Sequence, residues 1–159
     1  MTTRTARGRA GREREGTGTT PNEGEMSQER IRVLIVEDDP AICQLLKTAL
    51  KRAGYEPIAA QSGDSALAVL SLERVDVMLL DLRIPDTRGD VVFELAAANH
   101  PHLRQQTVFM TADHSERADK LIKSCKCEVI RKPFELKHVI AKVDMLVQHL
   151  RRGAQGQSA

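Results

Sequence analysis

Tryptophan is absent from this chain, tyrosine occurs once and phenylalanine three times. Aromatic residues are 3% of the 159, so any core has to be built from aliphatic side chains. Cysteine is equally sparse, at Cys43, Cys125 and Cys127. An odd number at irregular spacing does not describe a disulfide framework, and Cys125-Lys126-Cys127 lacks the spacing of a zinc knuckle. Reduced, partly buried thiols are expected. No apolar run approaches the roughly 18 residues that a membrane span needs, and no signal-peptide core is present. The expectation is a cytoplasmic protein with no membrane insertion. An excess of one charge is lacking too, with a formal net of +2 for the whole chain. Residues 26–150 hold 17 basic and 18 acidic side chains. So neutral a body carries no electrostatic footprint for direct nucleic-acid binding.

The two ends read as a different material from the middle. Residues 1–25 are rich in Gly, Thr and Arg and show no apolar periodicity, so residues 1–28 are expected to form a disordered tail. Arg4, Arg7, Arg9, Arg12 and Arg14 face four glutamates there. That excess is too small to argue for an anionic partner. Met26 stands just before the first strand pattern and is a candidate natural start of translation. Residues 151–159 read as a flexible C-terminal tail. Between them, residues 29–150 are long enough for one domain with a proper core. No internal repeat or second domain is visible, so an output domain is expected on another chain.

What the middle does have is short apolar runs that end in chemistry. Val77-Met-Leu-Leu80 is too short for a helix and suits a parallel strand buried on both faces. It ends at Asp81, and Pro85 and Gly89 then turn the chain before a helical pattern begins at Asp90. Ile31–Val36 runs into Glu37-Asp38-Asp39. Gln106–Met110 ends at Thr111-Ala112-Asp113, and Glu128–Arg131 ends at Lys132-Pro133. Tyr55–Ala60 is a weaker strand, which Pro57 demotes towards an edge.

Helical patterns fill the gaps. Pro40 suits a helix start, with Asp39 as its cap. Ile42, Leu45, Leu46, Ala49, Leu50 and Ala53 then repeat at three- and four-residue spacing until Gly54. Ser62 opens a second helix through Ala66, Leu67 and Leu70. A third carries Val92, Leu95 and Ala96 and stops near Pro101. Asp113-His114-Ser115 caps a fourth, through Ala118, Leu121, Ile122 and Cys125. A fifth follows Pro133 and runs from Leu136 to Leu150. Strict alternation of strand and helix implies a parallel sheet covered on both faces.

Parallel strands bring all these ends to one edge, where open α/β sheets bind ligands. That edge carries several carboxylates, one hydroxyl and one ammonium. Crowded carboxylates resist joint ionisation, and Mg²⁺, which takes a few carboxylates plus water and phosphate oxygens, is the natural remedy.

In this order, Glu37-Asp38, Asp81, Thr111-Ala112 and Lys132-Pro133 resemble the receiver domain of two-component response regulators. Asp38, Asp81, Thr111 and Lys132 follow one another at separations of 43, 30 and 21 residues. The resemblance covers about Ile31 to Leu150. It implies a flavodoxin-like (βα)5 fold, doubly wound, with strand order 2-1-3-4-5. It also implies a signalling phosphoacceptor rather than a conventional enzyme, one that catalyses its own phosphorylation and dephosphorylation. On that resemblance Asp81 would take the phosphoryl group, and Glu37, Asp38, Asp81 and the backbone carbonyl of Arg83 would hold Mg²⁺. Lys132 and the hydroxyl of Thr111 would contact the phosphoryl oxygens, as would the backbone N–H groups of Leu82 and Ala112. Lys132-Pro133 is implied to be cis. The implied partners are a histidine kinase or histidine phosphotransfer protein and an unnamed downstream protein, with a homodimer left open.

Rival functions fare less well. An aspartate-nucleophile phosphohydrolase would place a second Asp two residues beyond the first, where this chain has Arg83. A flavodoxin-type flavin binder would want a Ser/Thr/Gly-rich phosphate loop where Glu37-Asp38-Asp39 stands. The remaining alternative is a receiver-like protein-binding module that no longer cycles phosphate. Val129 occupies a position where many receivers carry a Tyr or Phe switch, so that rotamer mechanism is not available here.

Overall fold

Five runs of β-branched and aliphatic residues form the strands, seen in a computed structural model that describes residues 29–156. They are β1 (Arg32–Val36), β2 (Glu56–Ala60), β3 (Val77–Asp81), β4 (Thr107–Thr111) and β5 (Glu128–Arg131). All pair in parallel, in the order β2-β1-β3-β4-β5. Crossovers alone do not dictate that order, which agrees with the one implied by resemblance. The expectations for residues 1–28 and 157–159, including the start at Met26, lie outside the described residues.

Five helices cover the sheet: α1 (Pro40–Arg52), α2 (Gly63–Leu72), α3 (Gly89–Asn99), α4 (Glu116–Cys125) and α5 (Leu136–Gly156). Because strand side chains alternate, the core falls into two layers. Val33, Ile35, Val77, Leu79, Val108 and Met110 pack with α1 and α5. Leu34, Val36, Met78, Leu80 and Phe109 pack with α2 and α3. The central strand β3 is buried at every residue, Asp81 included. Only two aromatic side chains lie fully inside, Phe93 and Phe109, set edge to face.

The helix caps follow the sequence chemistry. Asp39 accepts the N–H groups of Ala41 and Ile42 ahead of Pro40, satisfying donors that the first turn leaves free. Ser62 and Ser65 form a reciprocal capping box on α2, and Ser115 caps α4 through Ala118. Gly54, at φ +91°, takes the left-handed conformation that ends α1.

Two expectations need correction. Helix α5 does not stop at Leu150, so residues 151–156 are helical rather than a loose end. Arg151, Arg152, Ala154 and Gln155 favour helix, and Gly153, inside it, costs only about 1 kcal/mol, while Gly156 is its last residue. Leu45, at helical spacing with the buried face of α1, is 56% exposed. A 3-10 turn over Pro101–Arg104 joins α3 to β4. The three thiols are free, with Cys43 fully buried and Cys125 and Cys127 half-buried.

Candidate functional site

The site assembles where the carboxyl ends of β1, β3, β4 and β5 meet. The register sets Asp81 beside Met110, the residue before Thr111, and sets Thr111 beside Arg131, the residue before Lys132. Four signals far apart in the chain are thereby brought onto one edge. Lys132-Pro133 is a cis peptide bond.

Lys132 is the centre of the charge balance. Its ammonium donates to Glu37 Oε2 at 2.6 Å and to Asp81 Oδ2 at 2.8 Å. Glu37 is 1% exposed and Asp81 4%. The remaining oxygens are engaged as well. Glu37 Oε1 accepts the Asp39 N–H at 3.1 Å, and Asp81 Oδ1 accepts the Arg83 N–H at 2.9 Å. Burial pushes the Glu37 carboxyl up, against the pull of Lys132. Burial alone would lower Lys132, but its bonds to Asp81 and Glu37 outweigh that and hold the ammonium more tightly. The carboxylates are therefore compensated but crowded.

Carboxylate oxygens of Glu37, Asp38 and Asp81 lie within 4.8 Å of one another. Asp38 is the exposed member of the three. An all-oxygen, anionic donor set beside an open face fits Mg²⁺ rather than a softer ion.

Thr111 is fully buried. Its Oγ accepts the Asp113 N–H at 2.9 Å, which leaves the hydroxyl proton for another acceptor. Ala112 is exposed, so its small side chain leaves the rim open there. Leu82 is buried under the turn that follows Asp81. Arg83 and Asp113 approach across the mouth, with Nη2 and Oδ1 3.8 Å apart. The N–H of Ser115, more than Arg83, holds the Asp113 carboxyl below its usual range. An open cavity beside this mouth is lined by Asp38, Arg83, Ile84, Pro85, Arg117 and Leu121 among others.

Two supporting residues had no clear sequence signal. Gly89 was legible as part of a turn, but not as the point where the chain touches the site's backbone. A Cβ there would stand 2.6 Å from both the Asp81 carbonyl oxygen and Leu82 Cα. Asp86 accepts the N–H groups of Gly63 at 2.9 Å and Asp64 at 3.1 Å, docking the β3–α3 loop onto the start of α2. Those partners are more than twenty residues away, beyond what local pattern reveals.

An acidic, lysine-balanced pocket at the strand ends of a doubly wound parallel sheet defines a class, and comparison with known proteins specifies it. The model of the response regulator receiver domain matches residues 33–144. The chain belongs to that family. Transcriptional regulatory protein TrcR of Mycobacterium tuberculosis is 31% identical over 160 residues, covering 97% of this chain and 61% of TrcR. The DNA-binding transcriptional regulator NtrC of Klebsiella pneumoniae is 31% identical, over 79% of this chain but 26% of NtrC. The chain thus spans only part of the length of these curated relatives. Among solved structures, a CheY-like receiver domain protein from Methanospirillum hungatei superposes with a TM-score of 0.71 at 26% identity, covering 77% of this chain and 98% of that one. TrrA from Thermotoga maritima, solved in complex with Mg²⁺ and beryllium fluoride, gives 0.64 at 28% identity, covering 73% and 98%. Membership implies a phosphoacceptor role in two-component signalling. Among the described residues, no helix is long and apolar enough to cross a membrane.

Proposed function

We propose that this protein takes a phosphoryl group from a phosphohistidine onto Asp81, in a Mg²⁺-dependent reaction that its own site catalyses, and thereby alters a partner-binding surface. The observation that carries this reading is the Lys132 ammonium held against a buried Asp81. A carboxylate oxygen so positioned is a workable nucleophile towards phosphorus. As its oxygen bonds to phosphorus, the P–N bond breaks and the imidazole leaves with the electron pair, taking up a proton.

Phosphoryl transfer needs positioning and charge neutralisation above all. Glu37, Asp38, Asp81 and the Arg83 carbonyl would hold Mg²⁺, which supplies positive charge to the phosphoryl oxygens when bound. Lys132 supplies a second positive charge. Thr111, whose Oγ already accepts the Asp113 N–H, has its own proton to donate. The N–H groups of Leu82 and Ala112 complete the donor set.

The phosphodonor is a histidine kinase or a histidine phosphotransfer protein. Ile42, Leu45, Phe134 and Leu136 make an apolar bed next to Lys132 and Ala112, and the exposure of Leu45 gives a protein donor something to bury there. The reaction is expected in the cytoplasm.

Incubation with an acyl phosphate or a phosphorylated kinase in Mg²⁺, followed by peptide mapping, tests it. The label is expected on Asp81 and absent from Asp81→Asn. Undiminished labelling of that variant would overturn the assignment. A protein that takes no label from any donor would be a binding module instead.

A further inference from the structure

Helix α4 is fastened to this domain differently from the other helices. Ala118 is its only fully buried side chain, whereas α5 buries Val139, Val143, Leu146 and Val147. Leu121, Ile122 and Cys125 pack against the core only half-buried, and two ion pairs add to that hold. Arg117 Nη2 reaches Asp90 on α3 at 2.5 Å, and Arg131 Nη2 reaches Asp119 in the first turn of α4 at 2.9 Å. A helix with one fully buried side chain sits nearer the low-stability end of a structure than α5 does, so its arginine bridges weigh in where it rests.

Arg131 has a second hold. Its Nη1 donates to the carbonyl oxygen of Asp113 at 2.5 Å, so one planar fork grips both the loop beyond Thr111 and the helix after it. Asp113 is the junction. Its N–H goes to Thr111 Oγ at 2.9 Å, its carboxylate accepts the Ser115 N–H at 2.8 Å, and its carbonyl goes to Arg131. Any shift of the Thr111 hydroxyl towards an oxygen above Asp81 pulls on Asp113 first. Val129, two residues before Arg131, has no polar group with which to relay that pull.

We propose that Arg131 is the positioning residue that couples the phosphoacceptor site to α4, holding the Asp113 loop and the first turn of the helix as one body. This rests on the phosphoacceptor reading above. Thr111 senses the site, Asp113 moves with it, and Arg131 carries the displacement to Asp119. Without the fork, the site fills and α4 stays where it was.

Amide hydrogen exchange on the full chain, with and without Mg²⁺ and beryllium fluoride, tests the coupling. In the unsubstituted protein, the probe is expected to slow exchange in 82–88 and 111–115 and to change it in 116–125. Arg131→Met keeps the aliphatic stem and removes both donors. It should retain the site response within roughly twofold while the α4 response falls below about a third, since the two segments would then open independently. Asp119→Ala, which cuts only the helix end of the fork, should give the same split and decides the matter if Arg131→Met does not fold. An α4 response of ordinary size in both variants overturns the proposal. So does loss of the site response along with it, or an α4 that ignores the probe in the unsubstituted protein. Failure of the unsubstituted site segments to respond at all would instead count against the phosphoacceptor reading.

Discussion

The ammonium of Lys132 lies nearer to Glu37 than to Asp81, at 2.6 Å against 2.8 Å. It therefore serves the resting protein as much as any reaction, because it is the cation that compensates two buried carboxylates. Removing one partner of a buried pair leaves an uncompensated charge, at a cost of about 3–5 kcal/mol. With Lys132 partly open to water, Lys132→Ala should lose about 2–4 kcal/mol of unfolding free energy at neutral pH. The loss should shrink on acidification. A carboxyl raised by burial, as Glu37 is above its ordinary 4.5, binds protons more tightly folded than unfolded. Its contribution to stability falls as pH rises through that window and recovers as pH falls. Urea titrations from pH 4.5 to 7 measure this, and a deficit that stays flat across the range would contradict it.

Gly89 makes a second, purely steric prediction. The 2.6 Å approach of an added Cβ to the Asp81 carbonyl and to Leu82 Cα involves backbone, not yielding side-chain ends. Gly89→Ala must displace the β3–α3 loop, and overpacking of this kind costs about 1–3 kcal/mol. The same displacement moves the Arg83 N–H away from Asp81 Oδ1, so phosphorylation should slow along with the fall in stability. A variant with an unchanged thermal midpoint and unchanged labelling rate would mean that the loop adapts freely.

How much of this was legible beforehand depended on range. Val77–Leu80 and Ile31–Val36 reveal themselves because a strand buried on both faces needs an unbroken apolar run. Asp39, Ser62 and Ser115 announce caps because each acts on residues two or three places away. Leu45 shows where periodicity misleads, since its spacing is that of the core face yet it looks out beside Phe134 and Leu136. The strand order came from resemblance, because right-handed crossovers permit more than one order. Arg131, Asp86 and the Glu37–Lys132 contact were not legible at all. Each joins segments far apart in the chain, and only the folded register selects the partner.

Residues 1–25 offer no periodic apolar set in the sequence that could be buried against the domain. A chain starting at Met26 should therefore melt at the same temperature as the full one, and label Asp81 at the same rate. A drop of several degrees on truncation would expose a docked segment.

The pair across the mouth makes the last prediction. Arg83 is 70% exposed in its side chain and Asp113 19%, and their 3.8 Å separation is long for an ion pair. An exposed pair of this kind adds only about 0–1 kcal/mol to stability, so stability is the wrong measure. Access is the better one. Hydrolysis of an aspartyl phosphate needs water in line with phosphorus, and a bridge over the mouth obstructs that path whenever it is closed. Arg83→Ala and Asp113→Asn should each speed loss of phosphate, by no more than about fivefold given so weak a bridge. The asparagine is chosen because its carbonyl can still accept the Ser115 N–H that Asp113 now takes at 2.8 Å. One bridge cannot be broken twice, so the double variant should be no faster than the faster single. Added salt should speed the unsubstituted protein and leave the single variants nearly unchanged, because screening weakens only an intact exposed pair. Additive effects on the logarithm of the rate, or a salt response that survives in the variants, would show that the two side chains act separately and that the mouth has no gate.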